Sequence, residues 1–299
     1  MQTRITRAVL FAVAGFAQWG AVAQVDEDTP GYFPFWIPAL DDAATFTDMS
    51  FLNPEPAGAS GRAQIRDGHF YDAAGKRLRL LGTNLCFRGD FPEKEYAAAM
   101  AGHLRKLGFN IIRFHHMDNG TVPWGIWLPD YSALDPGQVD KLDWLIYQLK
   151  QHGIYTNLNL HVSFTYPGIP ESAPGEFLFG KGLDNFYPEY IQAQKDYAAA
   201  LLTHRNPYTK TTYAEEPAVL VIEINNENAL TNIPWNALRA MPEPHQKELA
   251  RLWHAWLAAH YPSTEELRTR WDEAREPLGD ELLTDRCFEQ GAEGWELEQ

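Results

Sequence analysis

Four apolar segments of this 299-residue sequence carry side chains that can transfer protons or bind charged and hydroxyl groups. With the period-two alternation of a strand, each segment has an apolar face and a polar face. A carboxyl group can donate or accept a proton, a guanidinium can hold a neighbouring carboxylate ionised, and imidazole and carboxamide groups bind hydroxyls. In chain order the polar positions are Gly82 and Asn84; Arg113 and His115; Asn157, Asn159 and His161; and Glu223, Asn225 and Glu227.

These polar groups concentrate at the C-terminal ends of the segments. Burying an amide-like group without a partner costs roughly 2–7 kcal/mol, so a structural core is an unfavourable place for them. Barrel enzymes keep their chemistry at this end of their strands, and open doubly wound sheets also bind ligands there. Neither Gly82-Thr83-Asn84 nor Gly120-Thr121-Val122 is a phosphate-binding pattern, which disfavours the open sheet. We therefore predict an α/β fold of the (β/α)8 TIM-barrel type.

Helical segments alternate with the strands, which implies parallel strands joined by crossover helices. Pro136 begins one such helix and Gly153 closes it. Upstream, Asp72-Ala73-Ala74-Gly75 predicts the turn of a hairpin whose second strand is Lys76–Leu81. The predicted strands are Leu78–Leu85, Phe109–His115, Ile154–His161 and Ala218–Asn225, and the predicted helices are Pro92–Leu107, Pro136–His152, Pro188–Leu202, Leu249–His260 and Thr264–Trp271.

Composition limits the classes of partner. The sequence has 40 acidic against 25 basic residues and a formal net charge of −15, so its surface repels phosphate backbones and nucleic acid is excluded as a partner. Ten Trp, 13 Tyr and 16 Phe beside that acidity suit a site of flat rings and carboxylates. The two cysteines, Cys86 and Cys287, cannot form a disulfide framework. We expect Cys86 to be a small buried hydrophobic residue.

Residues 1–23 have the features of a cleaved secretory signal. Arg4 and Arg7 form a basic n-region, Ala8–Phe16 is a short apolar core, and Ala21-Val22-Ala23 matches a cleavage site. The apolar run is too short to cross a bilayer comfortably. The prediction is a secreted or periplasmic protein with no membrane association after signal cleavage.

The segment Ile222–Asn228 resembles the acid/base signature of clan A glycoside hydrolases, and most closely that of the cellulase-type family 5. In that family an Asn-Glu pair closes the fourth barrel strand. The resemblance covers roughly residues 63–230 and implies a TIM barrel. The other matching segments are, in order, the hairpin Asp67–Leu78, Gly82-Thr83-Asn84, Gly108–Arg113 and Asn159-Leu160-His161.

The resemblance also implies a role for each site residue. Retaining glycosidases use two carboxyl groups about 5 Å apart, one donating a proton to the leaving oxygen and the other attacking carbon. Glu227 would be the acid/base, Asn226 would bind the hydroxyl beside the reacting carbon, and Arg113 would orient the nucleophilic carboxylate. Neither a cofactor nor a metal is implied. The remaining substrate-binding candidates are Asn84, His115, His161 and the ring faces of Trp124 and Trp127.

The second carboxylate is missing from the pattern, since in this clan it follows the seventh strand. We therefore expect only about the first four βα units here, a nucleophile outside this chain, and no retaining activity from the 299 residues alone. The acidic residues after the fourth strand lie in a polar helix or loop: Asp272, Glu273, Glu276, Asp280 and Glu281. The predicted division is a signal peptide at 1–23, an extended leader at 24–60, the N-terminal part of the barrel at 61–283 and, at 284–299, the start of a β-sandwich insertion or appended module.

Several alternatives stay open on sequence alone. The chain can be a non-catalytic carbohydrate-binding barrel that keeps a ring-lined cleft. Arg113 and Glu223 can form a structural ion pair, and Trp124 and Trp127 can pack under a loop. A metal cluster of His115, His116, Asp118 and His161 is disfavoured, because adjacent strand residues point to opposite faces. The oligomeric state is not predicted.

Overall fold

The computed structural model describes residues 40–54, 56–162, 164–170, 180–232 and 235–273. The predicted signal peptide, the first part of the predicted leader and the segment 284–299 lie outside these ranges. Six strands and six α-helices are described. The strands are β1 (Gln64–Arg66), β2 (His69–Tyr71), β3 (Gly82–Cys86), β4 (Ile111–His115), β5 (Tyr155–His161) and β6 (Val219–Asn225). The helices are α1 (Lys94–Lys106), α2 (Pro136–Gln151), α3 (Pro188–Leu202), α4 (Trp235–Ala240), α5 (Glu243–His260) and α6 (Thr264–Asp272).

Strands β3 to β6 form one parallel sheet in the order of the chain. Gly82 allows β3 to approach β4 closely, because a Cβ atom there would lie 2.8 Å from the Ile111 side chain. The β5–β6 register shifts between Thr156 and Asn157. Polar side chains face polar side chains across all three strand pairs. The pairs are Asn84 with Arg113, Arg113 with Asn157 and, after the shift, Asn159 with Glu223 and His161 with Asn225.

The helices cover the apolar face of the sheet. Ile112, Phe114 and Leu158 are fully buried there. Helix α2 contributes a buried apolar stripe to the same core, and α1 packs against α2. This face excludes water, so the opposite face must carry the polar groups. The stripe of α2 consists of Val139, Leu142, Leu145, Ile146 and Leu149.

Local signals explain most boundaries of the barrel elements. Helix α2 begins at Pro136, and the Asp135 side chain caps it by accepting a hydrogen bond from the Gln138 N–H at 2.9 Å. Helix α3 has the predicted bounds. The four barrel strands begin one to four residues later than predicted, and β3 also ends one residue later, at Cys86. Helix α5 begins at Glu243 instead of Leu249, since Pro242 precedes it as the N-cap residue.

The hairpin before the barrel differs from the prediction. Its tight turn is Asp67-Gly68, where both residues have positive φ, and β1 pairs with β2 around it. Asp-Gly is a strong signal for this two-residue turn. The predicted turn at Asp72–Gly75 also exists, but in the described chain no second hairpin strand follows it. The chain after this turn pairs with β2 through one antiparallel bridge, between Tyr71 and Arg77. The chain therefore turns twice here.

Within the described residues the sheet is open, and β3 and β6 each pair on one side only. Ile224 on the outer face of β6 is 69% exposed. Cys86 at the end of β3 is exposed as well, so the expectation that it is buried was wrong, because its side chain points to the uncovered face. A sequential parallel sheet with crossover helices and free edges confirms the prediction of about four βα units of a barrel. None of the helices in the described ranges has the length and apolar character needed to cross a bilayer.

Candidate active site

Arg113 is the centre of a hydrogen-bonded cluster on the polar face of the sheet. Its Nε donates to Glu223 Oε2 at 2.7 Å and its Nη2 donates to Glu223 Oε1 at 2.6 Å. The same Nη2 donates to Oδ1 of Asn159 and to Oδ1 of Asn226, both at 2.9 Å. One guanidinium thus joins residues of β4, β5 and β6 and the turn after β6. The ion pair with Glu223, which the sequence left open, is present.

Glu227 lies just beyond β6 with its side chain 79% exposed. Its backbone has a φ of 52°, a left-handed conformation. The preceding residue is fixed to the neighbouring strand, because the Asn226 N–H donates to the His161 carbonyl at 2.9 Å. Lys181 Nζ is 3.9 Å from Glu227 Oε2. The turn therefore presents a carboxyl group to solvent at the C-terminal edge of the sheet, beside an ordered carboxamide.

His161 lies below this edge and is buried. Its Nδ1 is 3.2 Å from Asp118 Oδ2, and its Nε2 is 3.2 Å from the Tyr190 hydroxyl. Asp118 also accepts from the Val162 N–H at 2.8 Å, and the Tyr190 hydroxyl donates to the Phe164 carbonyl at 2.5 Å. With both ring nitrogens facing protein groups, His161 is placed to support the turn at Asn226 rather than to contact a ligand directly.

His115 and His116 occupy the end of β4 with different surroundings. His115 Nδ1 lies 2.9 Å from Asn159 Oδ1. His116 stacks on Phe87, with ring centroids 4.1 Å apart, and packs against the His115 ring. Burial, followed by the nearby His115, lowers the pKa of His116 to about 4, so its imidazole is neutral at neutral pH. Of the two, His115 belongs to the Arg113 cluster.

The two loop tryptophans lie in different environments. Trp124 is 57% exposed and offers a free ring face. Trp127 is 7% exposed, stacks on Phe164 with centroids 4.8 Å apart, and donates its indole N–H to the Asp118 carbonyl. This position does not suit the predicted sugar-stacking role, because the ring is buried and already stacked on Phe164. Asn84, on β3 opposite Arg113, is exposed on the polar face as the alternation predicts.

Lys181 and Asp184 lie near the turn at Glu227, and no motif in the sequence predicts their positions there. Asp184 accepts from Asn228 Nδ2 at 3.2 Å and from the Gly182 N–H at 2.9 Å. Burial raises the pKa of Asp184 above its ordinary value. Lys181 and Asp184 lie between β5 and α3, where the sequence has no periodicity that predicts which side chains point to the sheet edge. In the described ranges, no group of three or more histidine, cysteine, aspartate or glutamate side chains is placed to share a metal ion.

The ion pair between Arg113 and Glu223 should make the free energy of unfolding depend on pH. Hydrogen bonds from Arg113 hold the pKa of Glu223 below its ordinary value of 4.5. A carboxyl with a lowered folded-state pKa stabilises the fold above its unfolded-state pKa and loses that contribution as pH falls through the folded-state value. We expect Glu223→Gln to reduce the free energy of unfolding by a constant amount near neutral pH, with the difference from the unmodified protein shrinking below about pH 4.5. Urea denaturation at several pH values measures it, and a pH-independent difference contradicts it.

A family model described as Cellulase (glycosyl hydrolase family 5) matches residues 71–260, which is more than half of the chain. The comparison with curated proteins gave no match.

Three solved structures to which the chain is similar are described as two mannanases and a mannosidase. An endo-1,4-β-mannanase from Rhizomucor miehei is 18% identical, with 56% of this chain and 48% of that chain covered and a TM-score of 0.46. An endo-β-1,4-mannanase from Thermotoga petrophila is 21% identical, with 51% and 36% covered and a TM-score of 0.37. An exo-β-1,4-mannosidase from Opitutaceae bacterium strain TAV5 is 23% identical, with 62% and 33% covered and a TM-score of 0.40. The chain spans at most about half the length of these proteins.

Proposed function

Because the chain belongs to the cellulase family, glycosyl hydrolase family 5, we propose that it carries the acid/base side of a glycoside hydrolase active site. The reaction is hydrolysis of O-glycosidic bonds in a β-linked glycan or glycoside, with retention of the anomeric configuration. Glu227 is the general acid/base. The attacking carboxylate lies outside the described residues, because in this family it follows the seventh barrel strand, and the parallel sheet of the described residues has four strands.

One observation carries the proposal: an exposed carboxyl and an ordered carboxamide adjoin each other at the C-terminal edge of a parallel sheet. Asn226 is held at its backbone by His161 and at its side chain by Arg113. Glu227 is 79% exposed beside it. A general acid must reach the leaving oxygen while a neighbouring group binds the sugar. This edge offers both groups side by side.

The open polar face supports the assignment of a carbohydrate substrate. Asn84 is exposed on β3, and Trp124 is exposed in the loop after β4. A carboxamide suits sugar hydroxyls, and an indole ring suits the apolar face of a sugar. His115 and Arg113 complete the polar lining. In this proposal His161 supports the turn from below and Trp127 belongs to the core.

The sequence supports export. Residues 1–23 combine a basic start, a short apolar core and an A-x-A site. A secreted or periplasmic location suits an enzyme whose substrate is a polymer outside the cell. Mass spectrometry of the mature N-terminus after expression in an export-competent host tests this part separately.

A panel of polysaccharides and aryl glycosides tests the activity. The full-length gene product is incubated with β-linked glucan, mannan and galactan and with the corresponding aryl glycosides. We expect release of reducing ends on at least one substrate, and proton NMR of the first product to show the anomer of the substrate. Release of the opposite anomer contradicts the retaining mechanism but leaves the glycosidase assignment intact.

The panel also separates the enzyme from the alternative class. Binding to a glycan, measured by affinity electrophoresis, without turnover of any substrate supports a non-catalytic carbohydrate-binding barrel. Neither binding nor turnover across the panel contradicts both assignments.

A further inference from the structure

Arg113 fixes the direction of two side-chain amides, because a guanidinium has five N–H donors and no acceptor. The amide atom that faces it at 2.9 Å must therefore be an oxygen. This holds for Oδ1 of Asn226 and for Oδ1 of Asn159. The assignment of nitrogen and oxygen in these two amides thus follows from the chemistry of the partner and not from the shape of the side chain.

The direction of the Asn159 amide determines the tautomer of His115. Asn159 Oδ1 is only an acceptor, and it lies 2.9 Å from His115 Nδ1. Nδ1 must carry the hydrogen, so in the neutral ring Nε2 is an acceptor. In the described part of the chain no protein group bonds to His115 Nε2 or to Asn226 Nδ2. Both atoms belong to the cluster on the open polar face.

Glu223 holds the guanidinium that sets these directions. Its two oxygens accept from Nε and Nη2 of Arg113 at 2.7 and 2.6 Å. This pair of parallel hydrogen bonds fixes the plane of the guanidinium. Asn157 Nδ2 lies 3.4 Å from the same carboxylate. The Asn159 Nδ2, turned away from Arg113, lies 3.5 Å from the Glu223 carbonyl. Glu223 is therefore joined to each member of the cluster directly or through Arg113.

We propose that Glu223 is a positioning residue that, through Arg113, fixes a hydrogen-bond donor at Asn226 Nδ2 and an acceptor at His115 Nε2. The pair selects a substrate with an oxygen acceptor beside the reacting carbon and a hydroxyl donor within reach of His115, as adjacent hydroxyls of a sugar provide. This selectivity rests on the proposed function, whereas the tautomer of His115 follows from the structure alone.

Nitrogen-15 NMR of the histidine side chains tests the part that needs no activity. At about pH 8, above the ordinary histidine pKa of about 6.5, the full-length protein is expected to show His115 protonated at Nδ1. In Glu223→Gln the His115 resonances shift toward the Nε2–H form, because an amide has one oxygen and cannot accept from both Nε and Nη2 of Arg113. Nε2–H as the main form in the unmodified protein overturns the proposal without any variant.

Kinetics with a deoxy substrate tests the selectivity. The aryl glycoside with the fastest turnover in the panel is compared with its 2-deoxy counterpart. In Glu223→Gln the ratio of the two kcat/KM values is expected to fall by about two- to tenfold, the value of one neutral hydrogen bond. A purely structural role lowers both kcat/KM values by the same factor. That equal loss, with an unchanged His115 tautomer, overturns the proposal.

The chain offers a matched control and a second variant. Glu248 accepts from Nε and Nη2 of Arg251 on α5 at 2.7 and 2.6 Å, which is the same geometry outside the site. Glu248→Gln is expected to leave the tautomer and the substrate ratio unchanged. Arg113→Lys keeps the positive charge but not the two parallel N–H donors. It should therefore reproduce the change of tautomer and the change of substrate ratio even where Glu223→Gln folds poorly. If the panel shows no turnover, the NMR measurement still decides the positioning role.

Discussion

Replacing Glu227 with glutamine is expected to lower kcat of the full-length protein on polysaccharide by about 10²- to 10⁴-fold, the usual contribution of a general acid or base. Glutamine keeps the size and the hydrogen-bonding reach of the side chain, but its amide is not acidic enough to transfer a proton to the leaving oxygen. The loss should come with little change in stability, because the Glu227 side chain is 79% exposed. Glycan binding should remain, since Asn226 and Arg113 are untouched.

The leaving group makes this test specific to proton donation. A dinitrophenyl leaving group departs as a stable anion and needs no proton, so bond cleavage should be much less impaired on a dinitrophenyl glycoside than on polysaccharide. Glu189→Gln, an exposed glutamate in the first turn of α3, serves as the matched control and should leave kcat unchanged. Equal losses of kcat/KM, which reports bond cleavage, for Glu227→Gln on both substrates would contradict the general-acid role, and full activity would remove Glu227 from the site.

The two loop tryptophans are expected to respond oppositely to truncation. Trp127→Ala should lower the free energy of unfolding by about 3–5 kcal/mol, the usual cost of removing a buried large aromatic side chain. Its ring contacts Phe164 and Tyr197 with centroids 4.8 and 5.1 Å apart, so the cavity has rigid walls. Trp124→Ala should change stability by less than about 0.5 kcal/mol and raise KM for polysaccharide instead.

Urea denaturation and steady-state kinetics on the same two variants give the comparison directly. Each variant is the control for the other, because the residue type, the loop and the substitution are the same. A loss of glycan affinity in Trp127→Ala without loss of stability would restore the sugar-stacking role that the sequence indicated. A large loss of stability in Trp124→Ala would place that ring in the core of the full-length protein.

The barrel elements could be predicted because their signals are local. Strands β4 and β5 show the alternation of apolar and polar residues, and α3 begins at Pro188 as expected. The Asn226-Glu227 pair could be found because a strand end and a two-residue signature coincide. The hairpin turn at Asp67-Gly68 has a strong dipeptide signal, but the second turn signal at Asp72–Gly75 competes with it in the sequence.

The rest depends on contacts between distant residues. Trp124 and Trp127 have the same residue type three positions apart, and only the packing of Phe164 and Tyr197 makes one of them a core residue. Lys181 lies between β5 and α3 and reaches Glu227, a contact that no pattern in the sequence specifies. The sequence allowed Arg113 either to pair with Glu223 or to orient the nucleophilic carboxylate. An arginine on a strand needs a negatively charged partner, but the sequence does not specify which carboxylate that is.

The left-handed backbone at Glu227 places function and folding stability in opposition at one residue. A side chain with a Cβ atom at a φ of 52° carries a local backbone cost of roughly 1 kcal/mol. Glycine would relieve that cost, and asparagine would tolerate it better than glutamate. A search for thermostable variants will therefore tend to enrich exchanges at position 227 that remove the proposed general acid, so libraries built for stability should hold this codon fixed.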